Sequence, residues 1–191
     1  MYGDMTVDGT LINNGELQIV KSATNVPNYP GVDFGKEAGN LTVSETGTVV
    51  NRGDVTITDG TFTNNGSVSS TTPIPGVPNV KPLVVFPDGV RTGDTLIFNL
   101  DPSKIYDFSE VIIPSDIRNV IVNGNNAQIL GLNMVVPDAG ANVTVECLHF
   151  ENRGLFISSS DISGQWVGDV TVRFNTFNNI NEPANADSPI I

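Results

Sequence analysis

The chain of 191 residues has one cysteine, one histidine and one tryptophan. With Cys147 alone, an internal disulfide and a cysteine metal cluster are both excluded. A lone His149, with no matching serine, cysteine or metal partner in the sequence, reads as a surface residue. Basic residues are scarce: 9 Lys and Arg stand against 21 Asp and Glu, a formal charge of −12. Such a chain repels phosphate backbones and anionic lipid, so no nucleic-acid partner and no membrane-surface role are expected. The charge itself reads as a source of solubility. No apolar run is long enough to span a bilayer, so no membrane insertion is expected. Leucine is sparse and no helix-length window carries a 3.6-residue period. The first residues, Met1-Tyr2-Gly3-Asp4, are not a signal peptide. The expectation is therefore an intracellular protein or a piece of a longer secreted chain. The end of the chain, Ala186-Asp187-Ser188-Pro189-Ile190-Ile191, follows on a strand-like repeat with no visible capping element and favours the second.

What is abundant is glycine, asparagine, threonine and valine, the material of strands and tight turns. One phrase occurs three times: Gly9-Thr10-Leu11-Ile12-Asn13-Asn14-Gly15-Glu16-Leu17, Gly47-Thr48-Val49-Val50-Asn51-Arg52-Gly53-Asp54-Val55 and Gly60-Thr61-Phe62-Thr63-Asn64-Asn65-Gly66-Ser67-Val68. Gly-Thr-apolar-x-Asn-x-Gly-x-apolar at short intervals marks a stacked repeat. Leu41, Val49, Val55, Phe62 and Val68 each centre a Val/Ile/Thr-rich run of a few residues, which predicts very short strands. The Asn-x-Gly between them predicts left-handed geometry or a sharp corner. Residues 20–38 break the rhythm and read as a loop insertion. Residues 71–82 carry four prolines, which cannot donate to a strand ladder, and read as a linker or crossing segment. The expected organisation is short-strand solenoid repeats over 1–70, that segment over 71–82, and wider, truncated coils over 83–191.

In the third part, Asn119-Val120-Ile121-Val122, Asn142-Val143-Thr144-Val145 and Asp169-Val170-Thr171-Val172 begin equivalent segments. Their spacing fits one turn of a parallel β-helix, in which three short strands and their corners form a coil. Alternation puts Val120 and Val122, then Val143, Val145 and Cys147, then Val170, Val172 and Phe174 inside. Ile121, Thr144 and Thr171, and next to them Asn123, Glu146 and Arg173, face out. Glu146 and Arg173 become neighbours on adjacent coils, an exposed pair worth about 0–1 kcal/mol. Asn13, Asn51 and Asn64, with Asn152 and Asn179 later, recur at strand ends. There a stacked amide satisfies corner backbone groups in each coil, which predicts an asparagine ladder.

The progression Gly93-Asp94-Thr95-Leu96-Ile97-Phe98, Val111-Ile112-Ile113-Pro114, Asn119-Val120-Ile121-Val122-Asn123-Gly124-Asn125-Asn126-Ala127-Gln128-Ile129, Asn142-Val143-Thr144-Val145 and Leu148-His149-Phe150-Glu151-Asn152 resembles the opening coils of right-handed parallel β-helix proteins, the pectin-lyase-like superfamily. Among these it most resembles the adhesin-like surface proteins of methanogenic archaea and gut bacteria. Residues 1–70 resemble the β-solenoid repeats of large secreted bacterial proteins. Asn125-Asn126 departs from the Asn-Gly usual in the family at that turn. The resemblance implies an all-β, right-handed parallel β-helix (β-solenoid) with short strands and loop insertions.

Hydrolases of that superfamily pair aspartates on adjacent coils as acid and base, and its lyases use calcium-binding acids with a basic residue. The outward columns here offer Glu146 and Arg173 without a second carboxylate on those strands, so no catalytic residue carries over. Neither a metal nor a cofactor is expected. Arg52-Gly53-Asp54 spells an adhesive tripeptide, yet Arg52 and Asp54 occupy the variable positions of the repeat. Asn40-Leu41-Thr42, Asn65-Gly66-Ser67 and Asn142-Val143-Thr144 fit the glycosylation pattern, as chance allows in a chain this rich in Asn and Thr. Trp166, in a corner loop, and Tyr106 could stack on sugar rings, and Glu146 and Arg173 could join them in binding. The function expected is a non-enzymatic segment of a large extracellular or cell-surface protein, a stalk or adhesin module. Its partner would be a glycan or a host or microbial surface protein, met along loops 20–38 and 160–168. The competing expectation is a fragment of a polysaccharide lyase or hydrolase, or of a phage tail-spike, acting on acidic polysaccharide.

Overall fold

A computed structural model of the chain describes residues 4–20, 39–58, 60–137, 139–159, 168–178 and 180. The chain is all-β, and its parallel stacked strands form a β-solenoid of about six turns. Two compact units divide at Leu83 and Val84.

The strands of the first unit are β1 (Asp4–Val7), β2 (Thr10–Asn13), β3 (Glu16–Val20), β4 (Asn40–Val43), β5 (Thr48–Asn51), β6 (Asp54–Thr58), β7 (Thr61–Asn64), β8 (Ser67–Ser70) and β9 (Val80–Val84). They stack in parallel as β1-β4-β7, β2-β5-β8-β9 and β3-β6. Each strand is short because the cylinder turns a corner after four or five residues. Alternation then aims one side of every strand inward. Leu11, Val49, Val68 and Val80 form one column in register, and Leu41, Val43, Val49, Phe62, Val68 and Ile19 are buried in the core of this unit.

The three copies of the phrase are not in phase. In the first two, β2-β3 lies on β5-β6. In the third, β7-β8 lies on β4-β5, one strand earlier in the coil. The phrase therefore marks a kind of corner rather than a position in the turn. Its glycines are not left-handed; among the described residues the positive-φ glycines are Gly76, Gly93, Gly131 and Gly140. What Gly53 allows is close approach: a β-carbon there would stand 1.8 Å from the carbonyl oxygen of Gly15 on the neighbouring coil. The proline-rich segment adds to this unit. Ile74 is buried in its core, and β9 pairs with β8, placing Pro82 opposite Ser70.

The second unit opens with an antiparallel hairpin of β10 (Val90–Thr92) and β11 (Thr95–Asn99), turned at Gly93. Then follow β12 (Ile105–Tyr106), β13 (Ser109–Ile112), β14 (Asn119–Ile129), β15 (Leu132–Val136), β16 (Asn142–Glu151), β17 (Leu155–Ser159), β18 (Val170–Arg173) and β19 (Thr176–Asn178). Parallel pairing runs β11-β14-β16-β18, β12-β14-β16-β19 and β13-β15-β17. Val120 lies over Val143 and then Val170, and Val122 over Val145 and then Val172. Val120, Val122, Val143 and Val145 are buried; Val170 and Val172, in the last described strand of the column, remain exposed. Burying each inner side chain fully is worth about 1.5–3 kcal/mol.

The long strands β14 and β16 run through a corner, and there simple alternation fails. Gly124, Asn125 and Asn126 together oppose Cys147 alone. Asn125, Asn126, Cys147 and Phe174 all have φ between 52° and 64°. A left-handed residue resets which face the next side chain takes. Cys147 is therefore only half-buried, while Leu148 and Phe150 fill the interior. Phe174 is 76 % exposed rather than inside. Asn125 and Asn126 serve this turn because asparagine tolerates the left-handed region better than most residues.

Candidate functional site

The outward face of β11, β14, β16 and β18 carries the residues singled out in sequence. Asn99, Asn123, Glu146 and Arg173 form one column in register. Within it Asn123 Nδ2 donates to Asn99 Oδ1 at 2.7 Å and Arg173 Nε donates to Glu146 Oε2 at 2.6 Å. The Arg173 guanidinium also lies 5.7 Å from the centre of the Phe174 ring. In the next column Asn142 Nδ2 donates to Asn119 Oδ1 at 3.2 Å, and Asn142 Oδ1 accepts from the Asp169 N–H at 3.0 Å. Past the corner, the His149 ring nitrogen Nδ1 meets Thr176 Oγ1 at 2.5 Å. Each of these side chains thus has its counterpart one coil away, about 4.8 Å along the stack.

Because β16 continues through its corner, Glu151 is a second carboxylate on the same strand as Glu146. The two stand on either side of the left-handed Cys147. The absence of a second acid from that strand, expected from the sequence, is corrected on this point. Among the described residues no group of three or more His, Cys, Asp or Glu side chains is placed to hold a metal ion.

Tyr106 is not an open stacking platform. It is 4 % exposed, its ring meets the Phe86 ring edge-on at 6.2 Å, and its hydroxyl accepts the Asp101 N–H at 2.8 Å. Burial follows from its place in β12, on the inward side of the coil. Trp166, and nearly all of loops 20–38 and 160–168, lie outside the described residues.

The asparagines divide. Asn13 Nδ2 donates to Asn51 Oδ1 at 2.7 Å, and Asn51 Nδ2 donates to Ser70 Oγ at 2.8 Å. That ladder follows β2, β5 and β8, so its third rung is a serine. Asn64 lies instead opposite Val43 at the end of β7, donating from Nδ2 to the Pro78 carbonyl. Asn152 supplies a left-handed corner at φ 79° and donates its backbone N–H to Asn178. Asn179 is outside the described residues. A corner role that sequence reading missed belongs to Asn175: its Oδ1 accepts the Leu148 N–H and its Nδ2 donates to the Val145 carbonyl. Simple alternation points its neighbour Phe174 inward, and so conceals the corner.

Arg52-Gly53-Asp54 is absorbed into the stack. Arg52 donates its backbone N–H to Asn13 and its Nη1 to Asn14 Oδ1, while the Asp54 N–H is donated to the Gly15 carbonyl.

Three features carried no sequence signal. Arg91 Nη2 contacts Asp116 Oδ2 at 2.5 Å, which holds the Asp116 carboxyl below the usual carboxylate range and raises Arg91. The N–H and hydroxyl of Ser103 lower Asp101 in the same way, with Lys104 adding to the effect. An open apolar depression of about 310 Å³ is lined by Ile112, Ile113, Val135, Val136, Pro137 and Ala139 with Ser115.

No family model matches the chain, and no match was found among curated proteins or solved structures.

Proposed function

We propose that the chain is a non-enzymatic segment of a large secreted or cell-surface protein, a β-helical stalk or adhesin module of pectin-lyase-like type. One observation carries this reading. Four pairs of outward polar side chains on the coil face are bonded across neighbouring coils: Asn99 with Asn123, Asn119 with Asn142, Glu146 with Arg173, His149 with Thr176. Side chains so engaged hold register between coils. A catalytic carboxylate, by contrast, needs its lone pairs and its protonation state free for substrate. The acidic surface and the repeat scaffold agree with an extended spacer that presents ligand-binding loops, with a glycan or a surface protein as partner.

The test has two arms. The chain is incubated with acidic polysaccharides such as pectin and alginate, with and without calcium, and is applied to a glycan array and to surface-protein pull-downs. The expected result is no new reducing ends and no unsaturated product. Glycan or protein capture selects the adhesin form of the proposal, and no capture selects the stalk. Product formation that disappears in Glu146→Gln overturns the proposal in favour of a polysaccharide-cleaving fragment.

A further inference from the structure

Two of the three repeated corners contain an Asn-Gly bond, Asn14-Gly15 and Asn65-Gly66. This is the peptide bond most open to spontaneous deamidation, because glycine puts no β-carbon in the way of the attacking nitrogen. The glycine amide loses its proton and its nitrogen bonds to the asparagine Cγ. The Cγ–Nδ2 bond breaks, the leaving NH2 group takes up one proton, replacing the one the glycine amide lost, and departs as ammonia, and a five-membered succinimide remains. Water then opens the ring at either carbonyl, giving aspartate or isoaspartate. The balance is one water in and one ammonia out. Isoaspartate inserts an extra backbone atom and a charge into the corner.

In both corners the attacking nitrogen is already engaged. The Gly15 N–H is donated to Asn13 Oδ1 at 3.2 Å, and the Gly66 N–H to Asn64 Oδ1 at 3.1 Å. Each bond holds the proton that must leave and fixes the direction of the nitrogen. The corners differ in the second reactant. The Asn14 side chain is itself held, its Oδ1 accepting Arg52 Nη1 at 3.2 Å. Asn65 is exposed and donates its backbone N–H to Val43, with no side-chain bond among the described residues. The remaining Asn-Gly bond, Asn123-Gly124, lies inside β14, where the Asn123 amide is tied to Asn99 and the Gly124 backbone packs on Cys147.

We infer that Asn65 is a deamidation site of this protein and that Asn64 is the positioning residue that suppresses it. The first asparagine of the corner thereby guards the second. Serine can do the same, since Ser70 Oγ accepts the N–H of Thr72 two residues on.

The experiment ages the full chain at mildly alkaline pH, below its unfolding temperature, and follows ammonia loss and isoaspartate residue by residue by peptide mass spectrometry. In the unaltered chain Asn65 reacts slowly, and faster than Asn14. Asn64→Ala accelerates Asn65 several-fold and leaves Asn14 unchanged, while Asn64→Ser restores most of the protection. Were Asn64→Ala to unfold the unit, Asn14 and Asn65 would speed up together, and Asn64→Ser decides: slow reaction at Asn65 supports the inference, and fast reaction in a folded Asn64→Ser chain overturns it. An unchanged Asn65 rate in a folded Asn64→Ala chain also overturns it, as does Asn14 reacting ahead of Asn65 in the unaltered chain.

Discussion

Asn51 stands at zero exposure between two coils and donates from Nδ2 to Ser70 Oγ at 2.8 Å while accepting from Asn13 at 2.7 Å. A buried amide bonded on both sides is stabilising only while both partners remain. Asn51→Leu removes both of these bonds, and with them the bond from Asn51 Nδ2 to the Gly53 carbonyl. It should lower the unfolding free energy by about 1–3 kcal/mol in urea titration. A loss no larger than that of an exposed-site control such as Asn65→Leu would remove the ladder's structural role.

Phe150 and Phe174 looked alike in sequence and are opposites in the fold. Phe150 is fully buried and stacks on Phe177 at 4.8 Å, whereas Phe174 stands 76 % exposed. Phe150→Ala should cost about 3–5 kcal/mol. Phe174→Ala should change stability by no more than about 0.5 kcal/mol. Equal losses in parallel urea curves would reinstate Phe174 as a core residue.

Cys147 occupies the left-handed region at φ 56°, where a residue with a β-carbon costs roughly 1–2 kcal/mol. Cys147→Gly should therefore hold or raise stability, by up to about 1 kcal/mol after the entropic cost of glycine. Cys147→Val should lower it. Thermal unfolding of the two variants distinguishes this corner from an inward, packed cysteine, for which glycine would be the worse choice.

The Glu146–Arg173 pair is exposed on the arginine side and lies on the coil face. A double-mutant cycle with Glu146→Gln and Arg173→Gln should give a coupling of about 0.2–1 kcal/mol. At about 1 M salt, where the screening length is roughly 3 Å, the coupling should shrink. A coupling several times larger and insensitive to salt would mean that the pair is a desolvated site rather than a register clip.

The Arg91 guanidinium holds the Asp116 carboxyl below its ordinary range. A group whose pKa is depressed by folding contributes stability above its unfolded pKa, and loses that contribution as pH falls through the folded value. An NMR titration should show Asp116 protonating at lower pH than an unpaired aspartate, and Arg91→Gln should move the midpoint upward. The same midpoint in both chains would dissolve the pair in solution. Both side chains face solvent, so the consequence for global stability is small.

Much of the fold was legible because strand periodicity is a local property. Val120-Ile121-Val122 and Val143-Thr144-Val145 show their inward faces without any knowledge of neighbours, and their pairing follows from the 23-residue separation of Asn119 and Asn142. The corners were less legible. One left-handed residue, Cys147 or Phe174, flips every later assignment of inside and outside, and nothing in those side chains announces a positive φ. The repeated phrase puts Asn64 with Asn13 and Asn51, whereas backbone pairing sets it against Val43. Glu146 and Arg173 were readable as neighbours, since both lie before the corner in strands of matching register. Tyr106 was not, because β12 has two residues and too little pattern to show a face.

By itself the amino-acid sequence determined an all-β stack of short strands, its apolar interior and its acidic, polar exterior. These depend on composition and on a period of two, both of which act within a few residues. The tertiary structure alone decided which strand lies on which, where the coil turns, and so which asparagines bond, which phenylalanine is buried and which Asn-Gly bond is guarded. Those outcomes depend on register between segments far apart in the chain, where a shift of one residue moves a side chain to the opposite face.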